Sequence, residues 1–294
     1  MNLFEPRTIR NLLKKYRIRP SRRFGQNFLV GKGTVKKIIE TAELNEEDTV
    51  LEIGPGVGTI TQELSRKARK VIAVEKDRNM VEILGETLEN FKNIEVIRED
   101  ILKLKLKFPP RYKVVANLPF YITSPVIRHF LEAGNENKFS SSASRLAPAR
   151  RSLVEEGPQQ MVLVVQKEVG QRICARPPKM SILAVSVQVY AEAKVVGYIP
   201  KKNFWPEPKV DAALIKITPR KRPLKPGINS FFKIMKAGFS QPRKQLINNL
   251  SKGLDFNRVK VENWLKENNI QPNQRAETLE VEDWINLAKS FKIN

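Results

Sequence analysis

The sequence predicts an α/β fold in which a mostly parallel sheet, covered by helices, is followed by a small all-helical domain. Three observations predict it. Short apolar runs alternate with helical patterns through most of the chain, a basic proline-rich stretch ends this alternation, and only helical patterns follow. The 294 residues are enough for one large domain and a small one.

Seven apolar runs predict the strands of the sheet. In chain order they are Thr49–Ile53, Val71–Glu75, Ile94–Glu99, Val114–Asn117, Met161–Gln166, Ala184–Tyr190 with a continuation near Val195–Ile199, and Ala212–Ile217. The helical spacing of Met80, Ile83, Leu84, Leu88 and Phe91 predicts a helix between the second and third strands. Strands separated by helices pair in parallel, whereas the last runs leave no room for helices. We therefore expect an antiparallel edge.

Basic, proline-rich residues 219–226 predict the domain boundary, which separates residues 1–218 from a helical domain at 219–294. Residues 1–23 carry eight basic side chains and one acid and are predicted to begin with a docked amphipathic helix, although such a start is also typical of a transit peptide. Serine-rich residues 135–160 predict a flexible insertion.

The charge of the chain predicts a polyanionic partner. The net charge is +22, and residues 219–260 hold eleven Lys or Arg against one acid, whereas residues 261–294 hold four against six. Such a concentration favours a binding face for RNA or DNA, and no lipidation signal points to a membrane.

Two rare residue types exclude several classes of site. Cys174 is the single cysteine, so neither an intramolecular disulfide nor a multi-cysteine zinc site is possible. The single histidine, His129, lies in a helix-like segment and is expected to be a packing or surface residue. We therefore predict no metal site and no histidine-based triad.

A glycine turn follows the first predicted strand at Gly54-Pro55-Gly56-Val57-Gly58, and Glu75 ends the next strand. Glycines let the backbone approach a ligand, and a carboxylate at that position can accept both ribose hydroxyls of a nucleoside. The dinucleotide fingerprint needs glycine where Thr59 stands. The spacing G-x-G-x-G is typical of S-adenosylmethionine enzymes, which predicts a Rossmann-like methyltransferase sheet.

Two further polar groups end the third and fourth strands. Asp100 is expected either to bind the adenine amino group of the cofactor or to be a turn or capping residue. Asn117 begins Asn117-Leu118-Pro119-Phe120, in which an amide and backbone carbonyls can accept hydrogen bonds from an exocyclic amine while the ring stacks on its base. This chemistry suits alkylation of the N6 of an adenine drawn out of its stack, although alone the motif reads as an ordinary Asn/Pro turn.

Over almost its whole length, the chain resembles the small-subunit rRNA adenine N6,N6-dimethyltransferases. The matching stretches are Phe24–Leu29, the glycine turn, Glu75, Asp100-Ile101, Asn117–Phe120, Gln166–Val169, Phe204–Asp211 and Phe239–Lys244. The sequence departs from the usual family pattern at Pro242, at Ala212 and in the insertion.

The resemblance implies a role for each site residue. For the cofactor, S-adenosylmethionine, the implied residues are Asn27 and Leu29 as enclosing groups, Gly54 and Gly56 at its methionine part, Glu75 at the ribose, and Asp100 at the adenine. For the substrate, they are Asn117 and the Leu118 carbonyl at the target amine, Phe120 and Phe204 against the base, and Arg243 and Lys244 on RNA.

The implied substrate is a pair of adjacent adenines in a hairpin near the 3′ end of small-subunit rRNA, each dimethylated late in subunit assembly. We expect a monomer in the cytoplasm, with no membrane partner. Two alternatives stay open: a large-subunit rRNA adenine methyltransferase of the macrolide-resistance type, and a non-catalytic RNA-binding assembly factor. A nicotinamide oxidoreductase fits poorly because of Thr59 and the charge.

Overall fold

The computed structural model describes residues 1–20, 25–104, 108–109, 111–133, 157–220 and 228–291. The strands are Phe28–Leu29 (β1), Thr49–Ile53 (β2), Lys70–Glu75 (β3), Ile94–Arg98 (β4), Lys113–Asn117 (β5), Gln160–Gln166 (β6), Ala191–Ile199 (β7), Phe204–Trp205 (β8) and Ala212–Pro219 (β9). The α-helices are Pro6–Lys15 (α1), Lys32–Ala42 (α2), Thr59–Ser65 (α3), Arg78–Thr87 (α4), Thr123–Ala133 (α5), Lys167–Ile173 (α6), Ile182–Gln188 (α7), Ile228–Gly238 (α8), Leu246–Leu254 (α9), Arg258–Glu267 (α10) and Val281–Ser290 (α11).

Seven strands form one sheet in the order β4-β3-β2-β5-β6-β9-β7, and β1 pairs separately with β8. The pairs within β4-β3-β2-β5-β6 are parallel, and β6 pairs antiparallel with β9. The predicted Rossmann-like fold class, with a mostly parallel sheet and an antiparallel edge, is confirmed. The chain leaves β2 towards β3 and returns on the other side as β5, so the topological switch point, where open α/β sheets bind ligands, lies between β2 and β5.

One predicted strand is wrong. Ala184–Tyr190 was expected to be extended, but Ile182–Gln188 is the helix α7, and α6 also lies between β6 and β7. Val185, Val187 and Val189 alternate with Ser186 and Gln188, which is the period of a strand, but Gln188 is 1% exposed and is not on a solvent face. Ser181 decides the outcome locally, because its side chain caps the helix by accepting a hydrogen bond from the Ala184 N–H at 3.0 Å.

Helix α1 buries its apolar face beside the ligand-binding edge of the sheet. Ile9, Leu12 and Leu13 are at most 4% exposed and pack in one cluster with Val57 of the glycine turn and Met80 of α4. The helix therefore supports the loop that follows β2. The remaining residues of the predicted basic segment, 21–23, lie outside the described residues.

The chain divides into two compact units. The first contains Met1–Gly170 and Lys194–Pro219, and the second contains Gln171–Ala193 and Arg220–Asn294. The second unit therefore includes a segment that the domain limits drawn from the sequence, 1–218 and 219–294, assigned to the sheet. Most of the linker at 219–226 and of the insertion at 135–160 lies outside the described residues.

The second unit is built around Trp284 of α11. Its side chain is fully buried, and its ring stacks on Phe239 with centroids 5.2 Å apart. A buried Asn249 donates hydrogen bonds to the carbonyls of Gly238, at 2.6 Å, and Gln241, at 3.0 Å. These bonds anchor the segment between α8 and α9.

Candidate active site

A cavity opens at the carboxyl edge of the sheet, over the ends of β2, β3 and β5. Its lining residues are Gly25, Gln26, Asn27, Phe28, Leu29, Gly54, Pro55, Gly56, Val57, Thr59, Ile60, Glu75, Met80, Asn117 and Pro119. The structure thus brings together six of the predicted site residues, namely Asn27, Leu29, Gly54, Gly56, Glu75 and Asn117.

The glycine turn leaves room for a ligand against its backbone. Gly54 and Gly56 have φ values of +68° and +60°, a left-handed conformation that other residues rarely adopt. A Cβ added at Gly56 would come within 3.1 Å of the Phe28 ring. A side chain at Gly56 would therefore displace the Phe28 ring and strain the backbone, whereas a Cβ added at Gly54 would meet only Pro119, at 3.9 Å.

Backbone amides fix the Glu75 carboxylate at the end of β3. Its Oε2 accepts a hydrogen bond from the Gly56 N–H at 3.2 Å, and its Oε1 accepts one from the Asp77 N–H at 2.9 Å. Burial raises the pKa of Glu75, and these N–H donors oppose that shift. Gln26 donates to Asp77 at 2.7 Å, so it supports the same corner. The sequence analysis assigned no role to Gln26, although it lies inside a matched motif.

A second carboxyl group, that of Glu52 in β2, is buried in the strand that leads into the glycine turn. Glu52 is 1% exposed, and its Oε2 has no hydrogen-bond partner among the described residues. Burial raises its pKa to about 8, the Thr61 hydroxyl lowers it, and the Glu75 carboxylate raises it further. The carboxyl is therefore largely protonated at neutral pH.

The Asn117 amide at the end of β5 has a defined orientation. Its Nδ2 donates a hydrogen bond to the backbone carbonyl of Asn27 at 3.0 Å. Because a carbonyl can only accept, this bond assigns the nitrogen and leaves the side-chain oxygen, Oδ1, as an acceptor. The next residue, Leu118, is 2% exposed and donates its N–H to the Val164 carbonyl at 3.2 Å, which ties the motif to β6.

Phe120 begins a short 3-10 turn, Phe120–Ile122, directly after the Asn117 motif. Its side chain is half-buried. The turn is closed by the Ile122 N–H, which donates to the Pro119 carbonyl at 3.0 Å. Phe120 is not part of the cavity lining, so its ring lies at a different position from the groups around the glycine turn.

Asp100 does not line the cavity. It ion-pairs with Lys76 at 2.9 Å, and its Oδ1 accepts the Leu102 N–H at 3.1 Å, as a turn residue does. Burial raises the pKa of Asp100, but the hydrogen bonds from Lys76 and the Leu102 N–H outweigh it and leave the pKa low. Asp100 thus has the contacts of a turn residue, and contact with a bound adenine would require Lys76 to share the carboxylate.

Phe204 also lies outside the cavity lining. It pairs with Leu29 through β8 and β1, is 4% exposed, and packs in an apolar cluster with Leu29 and Val35. This position makes Phe204 a support for the segment that carries Asn27. The sequence indicated neither short strand, because a two-residue pair has no periodicity.

Arg243 and Lys244 are both exposed on the segment that Asn249 anchors. Pro242, the departure from the family pattern, is exposed beside them.

In the described residues, no three His, Cys, Asp or Glu side chains are placed to hold a metal ion. None of the described helices combines the length and apolar content that a bilayer crossing requires.

A family model described as "Ribosomal RNA adenine dimethylase" matches residues 18–292. The chain belongs to the ribosomal RNA adenine dimethylase family. Proteins named "Ribosomal RNA small subunit methyltransferase A" are 36% identical in Dehalococcoides mccartyi strain CBDB1 and 37% identical in Enterococcus faecalis. The alignments cover 97% and 98% of this chain, and 93% and 96% of those relatives.

Solved structures of related enzymes share the fold. The 23S rRNA methyltransferase ErmE aligns with a TM-score of 0.68 and 27% identity, covering 90% of this chain and 98% of ErmE. A dimethyladenosine transferase from Plasmodium falciparum aligns with the same TM-score and 24% identity, covering 88% of this chain and 95% of that one.

The dimethylase family uses S-adenosylmethionine, and the cavity fits that cofactor. The backbone at Gly54, where an added Cβ would meet only Pro119 at 3.9 Å, and the fixed carboxylate of Glu75 provide a surface and a hydroxyl acceptor for a nucleoside. The chain is an S-adenosylmethionine-dependent ribosomal RNA adenine dimethyltransferase, as the family resemblance implied.

Proposed function

We propose that this enzyme dimethylates the N6 amines of two adjacent adenines in a hairpin near the 3′ end of small-subunit rRNA, late in the assembly of that subunit. The orientation of the Asn117 amide is the observation that carries the chemistry. Similarity to the small-subunit methyltransferases supports the choice of RNA, since those relatives are 36–37% identical whereas ErmE is 27% identical. The large-subunit reading is therefore the less favoured one.

Asn117 activates the target amine by holding it. The N6 lone pair of adenine is delocalised into the ring, so the amine is a weak nucleophile. Oδ1 of Asn117, which faces away from the Asn27 carbonyl, and the Leu118 carbonyl would accept its two hydrogens and hold the nitrogen towards tetrahedral geometry. The lone pair is then available without a strong base in the site.

Residues around the cavity would hold the cofactor. When bound, S-adenosylmethionine supplies an electrophilic methyl group on a sulfonium. Gly54 and Gly56 would lie against its methionine part, Glu75 would accept its ribose hydroxyls, and Asn27 and Leu29 would enclose it. We also propose that Asp100 contacts the adenine by sharing its carboxylate with Lys76.

Substitution of Glu75 by glutamine should weaken cofactor binding with little change in fold. The amide keeps the size of the carboxylate but loses its charge and one acceptor oxygen, so it cannot accept both the Gly56 and the Asp77 N–H while binding a hydroxyl. A hydrogen bond to a charged group contributes about 1.5–3 kcal/mol. We expect the Kd for S-adenosylmethionine, measured by calorimetry, to rise at least about tenfold. Glu89→Gln, at an exposed position, is the control, and an unchanged Kd in Glu75→Gln would remove Glu75 from the ribose site.

Phe120 is proposed to stack on the extruded adenine. Phe204 is proposed to position the base indirectly, by supporting the segment that carries Asn27. Phe120→Ala should lower kcat/KM for RNA by about 5- to 150-fold, because a base–aromatic stack contributes about 1–3 kcal/mol. Phe120→Tyr keeps the ring and should remain active. An inactive tyrosine variant with normal cofactor binding would show that stacking is not the main contribution of the ring.

The second unit is proposed to bind RNA through Arg243 and Lys244. Both are exposed, and the net charge of +22 suits a phosphate backbone. Pro242 stands where the family pattern has a basic residue, so this segment has one cation fewer.

We also propose that the protein acts as a monomer in the cytoplasm, which size-exclusion chromatography and cell fractionation would test.

The function is tested by incubating unmethylated small ribosomal subunits with the protein and S-adenosylmethionine, followed by mass spectrometry of nucleosides and mapping. N6,N6-dimethyladenosine at two neighbouring adenines near the 3′ end is the expected result. Methylation of large-subunit RNA alone would favour the resistance-type activity. Binding without modification of either RNA would favour an assembly factor.

A further inference from the structure

Two exposed tyrosines lie at the carboxyl edge of the sheet and have no part in the chemistry described above. Tyr121 is 57% exposed and Tyr198 is 52% exposed. Every other aromatic side chain in the described part of the chain is at least half-buried. Single exposed apolar residues are ordinary on a protein surface, but here the exposed rings share one edge.

The order of the strands places these tyrosines relative to Asn117. Strand β5 lies between β2 and β6, and the cofactor cavity covers the ends of β2, β3 and β5 as far as Pro119. Tyr121 follows the end of β5 by four residues. Lys167 directly follows β6, and its Nζ lies 5.2 Å from the ring centroid of Tyr198. Asn117 therefore has the cofactor cavity on one side and the Lys167–Tyr198 pair on the other.

Hydrogen bonds to Asp211 fix the backbone that carries Lys167. The Lys167 N–H donates to the Asp211 carbonyl at 3.0 Å, and the Lys201 N–H donates to the Asp211 side chain at 3.0 Å. The Lys167 side chain is exposed, and its ammonium lies within cation–π distance of the Tyr198 ring. An aromatic face beside an exposed cation is the combination that binds a base and its phosphate.

Direct transfer constrains the path of the RNA. In the cavity, the methyl donor would lie on the β2–β3 side of Asn117, so the amine would have to reach Asn117 from elsewhere along the edge. The nucleotides attached to the extruded adenine must then cross the surface beside it. The turn after β5 and the surface after β6 are the parts of this edge that the cofactor cavity leaves open, and both carry an exposed aromatic ring.

We propose that Tyr121 and the Lys167–Tyr198 pair bind the unpaired nucleotides that flank the target adenine. The rings stack on the flanking bases, and the Lys167 ammonium faces a phosphate. This inference rests on the proposed function and adds residues that position the RNA strand rather than the reacting amine. Stacking is tolerant of base identity, which suits an enzyme that presents two neighbouring adenines in turn.

Steady-state methylation of unmethylated small subunits tests the inference. Tyr121→Ala, Tyr198→Ala and Lys167→Gln should each raise KM for the subunits by about tenfold, within the range that one base–aromatic stack supplies. The Kd for S-adenosylmethionine should not change. Tyr121→Phe and Tyr198→Phe keep the rings and should behave as wild type, as should Lys70→Gln, which removes an exposed lysine at the amino end of β3.

The outcomes separate this inference from the function on which it rests. A wild-type enzyme that leaves small subunits unmodified overturns the proposed function. An active wild type with unchanged KM in both alanine variants overturns the inference alone. Weaker cofactor binding or earlier melting in the alanine variants also overturns it, because the tyrosines would then be structural.

Discussion

Replacement of Asn117 by alanine is expected to lower the rate of methyl transfer by about a hundredfold or more at saturating RNA and cofactor. The change removes the oxygen that would accept the target amine, together with the Nδ2 hydrogen bond to the Asn27 carbonyl. A misplaced amine loses both the geometry and the available lone pair. Single-turnover methylation of small subunits measures this step without product release.

Two comparisons make the Asn117 result specific. The alanine variant should still bind S-adenosylmethionine measurably, because the glycine turn and Glu75 are intact. Asn117→Asp keeps two acceptor oxygens but lacks the donor for the Asn27 carbonyl, so it should also be strongly impaired. Turnover near the wild-type level in Asn117→Ala would refute the assigned role.

Replacement of Glu52 by glutamine should stabilise the protein increasingly as the pH rises. The pKa of Glu52 is raised from its ordinary value of 4.5 to about 8, chiefly by burial. Between those two values the folded state binds a proton that the unfolded state has released, so the contribution of Glu52 to stability falls as the pH rises through this window. The neutral amide of glutamine has no such dependence.

The size of the Glu52 effect follows from the shift in pKa. The unfolding free energy of Glu52→Gln relative to wild type should rise by roughly 3–5 kcal/mol between about pH 4.5 and 8.5, since each unit of pKa corresponds to about 1.4 kcal/mol. Urea unfolding at a series of pH values measures it. Glu46→Gln, at an exposed loop position, is the control. A constant difference across the pH range would show that Glu52 is not held protonated.

The strands of the parallel sheet could be predicted because each is a short apolar run bounded by turn residues, and those from β2 to β6 lie within one residue of the predicted limits. The run at Ala184–Tyr190 could not be predicted as a helix, because polar residues alternate with valines there as in a strand, and the burial of Gln188 by its hydrogen bond to the Ile173 carbonyl is a tertiary contact. Its helical state depends on the cap at Ser181 and on burial of Ala184 and Val185.

Some residues of the candidate site could likewise be placed from the sequence, and others could not. Gly54, Glu75 and Asn117 could be placed together because parallel strands end at one edge of a sheet. The contacts of Asp100 and Phe204 could not be predicted. Asp100 forms an ion pair with Lys76, and Phe204 pairs with Leu29 between two short strands. Neither partner is marked by a periodicity or a motif.

By itself, the sequence determined which polar residue ends each successive strand and which chemistry these residues allow. Both depend only on residue type and on spacing along the chain. The tertiary structure decided which group faces which. The Asn117 amide meets a carbonyl 90 residues away, and Lys167 meets the ring of Tyr198. Contacts of this kind join distant segments, and they form only when the burial of apolar side chains has fixed the positions of both backbones.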